Sequence, residues 1–349
     1  MEETRKVVEA LMKVGPRFSD ISRATGIPVS TVRYILLKRL PKLGLSIRPS
    51  INYGALGLQR YLVTFQSNYP AHYISKILDL LGEYAYLDYY TYLMTEKKFF
   101  VIFTIPPSYE KDFLEFLNLL QSMDLIKGTD VCKLAYMRPL PFMVEFFDFS
   151  RGVWIQDWIS VRKTRNVPEM LEYPDPHPKI DKIDLVLISE LQKGVAPIRY
   201  SDLAQKLNLT RQTISKHYKH VKSLINLFTI FWAPHMNPQL LVLPLIVRVK
   251  AREDFREILL SIPFTYTEFR SERGDYFAML MMPNVGSYST LKFLASSLDI
   301  IGIDFQDMEY SGKFTIQHNL FKNGLWINVF DEVAKKLVVL IKSRSEQLQ

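Results

Sequence analysis

A chain of 349 residues with 48% hydrophobic, 13% aromatic and 23% charged side chains is too long for one ordinary small domain and too apolar for wholesale disorder. Its single cysteine, Cys132, excludes an intrachain disulfide and a cysteine-based zinc site. The net charge of +8 is too mild to define a partner by itself, so its placement along the chain decides what it implies.

The first predicted element is a helix from Arg5 to Val14, with Val7, Val8, Leu11 and Met12 on one face. Ser19 suits an N-cap for a short second helix, Asp20 to Thr25, and Gly26 suits its left-handed end. A third helix, Val29 to Leu40, turns Val32, Ile35, Leu36 and Leu40 to one side. Leu45 to Ile51 follows as a stretch compatible with the hairpin of a winged module, where Arg48 is placed to meet phosphate. Next come a strand from Gln59 to Gln66, a helix from Ala71 to Leu81 and two strands, Tyr84 to Met94 and Phe99 to Ile105. Pro106-Pro107 breaks the chain before a helix from Tyr109 to Met123, and a last strand runs from Val131 to Arg138. The segment Ser160 to Lys182 holds four prolines among charges and reads as a linker.

The same order then recurs. Asp184 to Gln192 is helical, Ser201 caps a helix from Asp202 to Leu207, and Asn208 takes the place of Gly26. Arg211 to Leu224 is the third helix, with Ile214, Tyr218, Val221 and Leu224 inward, and Leu227 to Ala233 is its wing stretch. A second strand-helix-strand-strand-helix-strand run occupies 243–316: strands Leu243 to Lys250, Thr265 to Ser271, Tyr276 to Met282 and Asp307 to Ile316, with helices Asp254 to Ser261 and Tyr288 to Leu298. Phe18-Ser19-Asp20 matches Tyr200-Ser201-Asp202, and Gly152-Val153-Trp154-Ile155 matches Gly324-Leu325-Trp326-Ile327. An internal duplication accounts for both. Trp154, Trp158 and Trp326 are expected to pack the units together, with a partner surface as the alternative.

Charge follows the repeat. Residues 1–60 carry +7 and 181–250 carry +6, whereas 61–150 carry −4 and 251–330 carry −3. Helix, tight turn and helix in each basic block is helix-turn-helix geometry, whose last helix enters the major groove. Its outward residues are Ser30, Thr31, Arg33, Tyr34, Lys38 and Arg39 in copy one, and Arg211, Gln212, Thr213, Ser215, Lys216 and Lys219 in copy two. Arg and Lys pair guanine edges, Gln pairs adenine, and Ser and Thr adapt to several partners. A solvated basic helix face is the bland alternative. His217 and His220 have ligand-like spacing but lie among Lys216, Lys219 and Lys222, which suits phosphate contact or solvation. Phosphate loops, His-Glu-x-x-His and Gly-x-Ser-x-Gly are absent.

The expected fold is α+β: two winged helix-turn-helix domains (1–58 and 183–238) alternating with two ferredoxin-like βαββαβ domains, 59–159 and 239–349, each with a Trp-containing or C-terminal extension, around the linker 160–182. A winged helix-turn-helix joined to a ferredoxin-like domain resembles the feast/famine regulators, the Lrp/AsnC type of bacterial and archaeal transcription factors. Its best-matching segments are Asp202 to His217 and the hairpin Arg273-Gly274-Asp275-Tyr276. The resemblance implies a transcription regulator, with Gly274 and Asp275 beside an effector cleft. A tight turn is the simpler account of those two residues, and copy one has Thr95-Glu96-Lys97-Lys98 there instead. Two fused units would read an asymmetric DNA site, and a further homodimer would present four modules.

The expectation is therefore a cytoplasmic DNA-binding regulator without enzymatic activity, cofactor, metal or membrane span. The start, Met1 to Lys6, has no apolar signal core, and Pro238 to Val247 is short of the roughly 20 residues that cross a bilayer. Two alternatives stand beside it. One is an adaptor that recruits a basal transcription factor or RNA polymerase. The other is an enzyme on the same fold, of the sirohaem decarboxylase kind, for which basic residues and His are expected in the ferredoxin-like cleft.

Overall fold

The computed structural model describes residues 2–194, 200–233 and 242–345. The domain boundary expected at 238/239 lies outside the described residues. The chain is a mixed α/β protein whose elements follow the duplicated order.

Copy one begins with α1 (Glu2–Val14) and α2 (Phe18–Thr25). The N-cap position of α2 is Arg17, without a side-chain cap, so Ser19 lies inside the first turn and is not the cap expected of it. Gly26 closes α2 in the left-handed region at φ 72°, its N–H donating to the Ser22 carbonyl. The third helix departs from expectation. Regular α3 (Val29–Tyr34) passes into a π-helical turn over Ile35–Arg39, where the Leu40 N–H reaches the Ile35 carbonyl, and then into α4 (Leu40–Lys42). Pro41 supplies the reason: it has no N–H to donate, and its ring crowds the preceding turn. After β1 (Leu45–Ile51) come β2 (Gln59–Gln66), α5 (Ala71–Tyr84), β3 (Leu87–Leu93), β4 (Lys98–Ile105), α6 (Glu110–Ser122) and β5 (Lys127–Pro139). A small hairpin, β6 (Phe147–Asp148) and β7 (Val153–Trp154), completes the copy.

Copy two repeats this with α7 (Lys182–Gln192), α8 (Tyr200–Leu207) and α9 (Arg211–Ser223). Ser201 lies within α8, its hydroxyl spent on Asp202, so it too is no cap. Asn208 adopts φ 52° at the turn, as expected of it. Thr210 caps α9 by accepting from the Thr213 N–H at 3.1 Å. Thr210→Ala is expected to cost about 1 kcal/mol, read as a lower thermal midpoint. Then follow β8 (Ile225–Trp232), β9 (Val242–Lys250), α10 (Glu253–Leu260), β10 (Thr265–Ser271), β11 (Asp275–Pro283), α11 (Ser287–Ser297) and β12 (Ile300–Lys313). The chain ends with the hairpin β13 (Phe321–Lys322) and β14 (Leu325–Trp326), and α12 (Phe330–Ser345).

Two compact units divide these elements. Unit 1 holds residues 1–52, 135–171 and 187–305, so most of each basic block, 1–52 and 187–250, lies within it. Its β1 and β8 do not form a wing hairpin each, as expected, but pair antiparallel with one another, Leu45 opposite Trp232 and Ile47 opposite Ile230. Each stretch is a single strand with no second strand of its own, so the other copy's strand satisfies its backbone. Arg17 over the Tyr200 ring and Lys222 donating to the Val14 carbonyl join the two helical blocks further. Unit 1 also contains the sheet β10-β11-β9-β12, the last through Ile300–Phe305. The copy-one segment 135–171 is laid against it, the Leu140 N–H donating to the Tyr266 carbonyl.

Unit 2 holds residues 53–134, 172–186 and 306–349. Its sheet runs β12-β3-β4-β2-β5, with β12 represented by Gln306–Lys313. Phe103, Phe113 and Phe330 form a buried aromatic cluster beneath α6 and α12. Here the copy-two tail meets the copy-one module, the Phe314 N–H donating to the Asp88 carbonyl as Leu140 does in unit 1. Each unit therefore closes with the other copy's terminal segment. Trp154 and Trp158 are buried in unit 1 and Trp326 in unit 2.

The segment read as a linker is anchored on both sides. In unit 1 the buried Arg165 donates to five backbone carbonyls. In unit 2 Glu172 pairs with the buried Arg60, and the Asp175 N–H donates to Gly54.

Candidate functional site

Ser30, Arg33, Tyr34 and Lys38 of copy one are exposed, and Thr31 and Arg39 are half-buried. In copy two Arg211, Gln212, Lys216 and Lys219 are exposed along α9, opposite the buried Ile214, Tyr218 and Val221. Thr213 and Ser215 are half-buried, and Thr213 is partly committed to the cap. Among the described residues, Arg33, Lys38, Arg211, Lys216 and Lys219 have no carboxylate partner. Arg48 is not available to phosphate. It donates to the Gln192 carbonyl at 3.2 Å and lies over the Phe231 ring, and burial lowers its pKa.

Two groups of cations on the unit 1 sheet behave differently, because each is held by a carboxylate. In unit 1 the fully buried Glu268 accepts from Arg138 Nε at 2.8 Å, Arg256 Nε at 3.0 Å and the Tyr276 hydroxyl at 2.6 Å. Burial opposes the Arg256 cation, but its hydrogen bonds to Glu268 hold its pKa above the usual value. Burial drives the Tyr276 hydroxyl well above its ordinary pKa, so it stays a neutral donor. This cluster lies within the core, and nothing in the strand pattern Thr265 to Ser271 sets Glu268 apart from a surface acid.

At the β10–β11 hairpin, Gly274 takes φ 82° with no atom near where a Cβ would stand, the geometry of a tight turn. Asp275 is buried and bridges two cations of β9, Arg248 Nη2 at 2.7 Å and Lys250 Nζ at 3.0 Å. Burial alone would raise the Asp275 pKa, but the Lys250 and Arg248 hydrogen bonds outweigh it and hold it below the ordinary value. The two cations were missed in the sequence, although their alternation around Val249 places both on one strand face.

No known family profile matches the chain, and no curated protein sequence does. Solved structures do match. Siroheme decarboxylase NirDL aligns with a TM-score of 0.57 at 12% identity, over 97% of this chain and 99% of that one. The same enzyme in co-complex with an iron-uroporphyrin III analogue gives 0.54 at 12%, over 98% and 99%. Escherichia coli AsnC aligns with only 41% of this chain, at 16% identity and a TM-score of 0.31. At such identities the full-length likeness is one of fold. The expectation that the chain has no enzymatic activity is nevertheless corrected, since the structures that match it from end to end are those of an enzyme. No helix among the described residues is long and apolar enough to cross a membrane.

Proposed function

We propose that the chain is a decarboxylase of the siroheme decarboxylase type, acting on a carboxylate-bearing tetrapyrrole. One observation carries this: both copies, helical blocks and sheets together, align as a single chain with that enzyme over nearly its whole length. Decarboxylation exchanges a C–COO⁻ bond for C–H, releasing CO₂ and taking up one proton. The substrate therefore brings negative charge that cationic side chains must meet. The test is anaerobic incubation of the full-length protein with siroheme, with CO₂ release and product mass as readouts. Absence of both, together with no absorbance change on adding iron-uroporphyrin III, would remove the proposal.

A second reading is favoured by the unpaired cations of α9. Arg211, Gln212, Lys216 and Lys219 offer duplex DNA two arginine- or amide-type base contacts and further phosphate contacts, on a regular capped helix. Copy one would contribute Ser30, Thr31, Arg33, Tyr34, Lys38 and Arg39 from a helix interrupted by its π turn. Selected-site binding identifies the sequence, and Arg211→Glu with Lys216→Glu is expected to abolish the shift of that duplex in a gel. An unchanged shift would discard α9 as a reader. In this reading Gly274 and Asp275 remain the candidate effector contacts, and a basal transcription factor or RNA polymerase the candidate protein partner.

A further inference from the structure

The duplicated sheet supplies an internal comparison. Strand register equates Arg248 with Thr64, Lys250 with Gln66 and Asp275 with Lys98, because Arg248 opposes Phe277 as Thr64 opposes Phe100. The two-cation, one-carboxylate cluster therefore exists in copy two only. Its two cations share the single Asp275 carboxylate, which leaves one unit of positive charge unmatched. Arg248 and Lys250 are 45% and 66% exposed, while Asp275 behind them is 10% exposed. Among the described residues, Nε and Nη1 of Arg248 have no acceptor, and Lys250 donates to Asp275 alone. The Arg248 guanidinium also lies 5.7 Å from the Phe277 ring centre, and Phe277 stacks on Phe269 at 4.7 Å. The cation–π contact holds the guanidinium near the Phe277 ring, and Asp275 holds its Nη2 edge.

We infer that Arg248 and Lys250 anchor one carboxylate of the tetrapyrrole, with Asp275 holding both cations in place from behind. The inference rests on the decarboxylase proposal and names residues for it. A guanidinium edge and an ammonium two residues apart on one strand face suit a carboxylate, which accepts from both. Asp275 sets the strength of the site as well as its geometry, since its charge opposes that of the incoming group.

The test is an absorbance titration of the full-length protein with iron-uroporphyrin III. Arg248→Gln and Lys250→Gln are each expected to weaken binding about tenfold. Asp275→Asn is expected to tighten it about threefold, because a nearby like charge is removed. Lys336→Gln and Glu332→Gln make the same charge changes on α12, where the pair is exposed, and are expected to leave affinity unchanged. Both Gln variants in the site replace largely exposed side chains, and a thermal melt close to that of the unaltered protein confirms that they fold. If the unaltered protein binds and the two site variants bind equally well, the inference falls and the decarboxylase proposal stands. If Lys336→Gln weakens binding as much as they do, the effect is diffuse charge and the inference again falls. If the unaltered protein binds no tetrapyrrole, both fall together.

Discussion

Arg165→Met is expected to lower the unfolding free energy of unit 1 by about 3–5 kcal/mol, seen as a large drop in the denaturant midpoint. The guanidinium has five N–H groups and each has a carbonyl. Nε reaches Pro141 at 2.8 Å, Nη1 reaches Leu260 and Ile262 at 3.0 Å, and Nη2 reaches Pro263 at 2.6 Å and Thr265 at 3.0 Å. Among the described residues no carboxylate pairs directly with it, so its direct partners are carbonyl dipoles, and the charges of Glu145 and Glu268 add support from further away. Desolvation accordingly lowers its pKa to about 10, which still leaves it charged at neutral pH. Methionine fills comparable space but leaves up to five buried acceptors without a donor. Lysine keeps the charge yet has three donors, so Arg165→Lys strands at least two carbonyls and is expected to fall between. A loss below about 1 kcal/mol for Arg165→Met would mean that water satisfies those carbonyls.

Glu268→Gln is the second large effect expected, at about 3–5 kcal/mol. Gln retains the shape and one acceptor but removes the single anion between Arg138 and Arg256, each nearly as buried as Glu268 itself. Two cations then face each other in the core, with only the longer 3.7 Å contact from Arg256 to the exposed Glu253 to offset them. Adding Arg138→Met to Glu268→Gln removes one of them and is expected to restore part of the loss. That recovery distinguishes buried charge from lost packing, since truncating a second side chain would otherwise deepen the defect. Chemical denaturation of the two single variants and the double variant, compared as a cycle, measures it.

Much of the secondary structure was legible because it depends on local periodicity. The strands Gln59–Gln66 and Thr265–Ser271 occur as expected to the residue, and Asn208 and Gly26 both take positive φ. Departures arise where one residue overrides its neighbours or where the partner lies far along the chain. Pro41 falls just beyond the apolar pattern Val32 to Leu40, yet it reshapes the five residues before it. No local signal assigns β8 as the partner of β1, since either strand equally suits a hairpin of its own. The outward residues of α9 were readable from helical period alone. Arg248 and Lys250 were readable as a face, but the Asp275 that unites them comes from another strand, 25 residues beyond Lys250. Glu268 shows the limit most plainly, because a strand pattern cannot distinguish an acid facing water from one enclosed by two arginines.

The β1–β8 pairing also sets a timetable for synthesis. Leu45 meets Trp232, so β1 leaves the ribosome long before its partner is made. At about 5–20 residues per second the delay is roughly 10–40 s. Throughout it, Leu45, Ile47 and Ile51, buried in the finished protein, belong to an open strand edge of the kind that recruits stray chains. Pro49 and Arg48 sit in the middle of that strand, and a missing donor and a charge are what discourage such pairing. The nascent first half is thus guarded by two residues whose worth is greatest before the protein is complete.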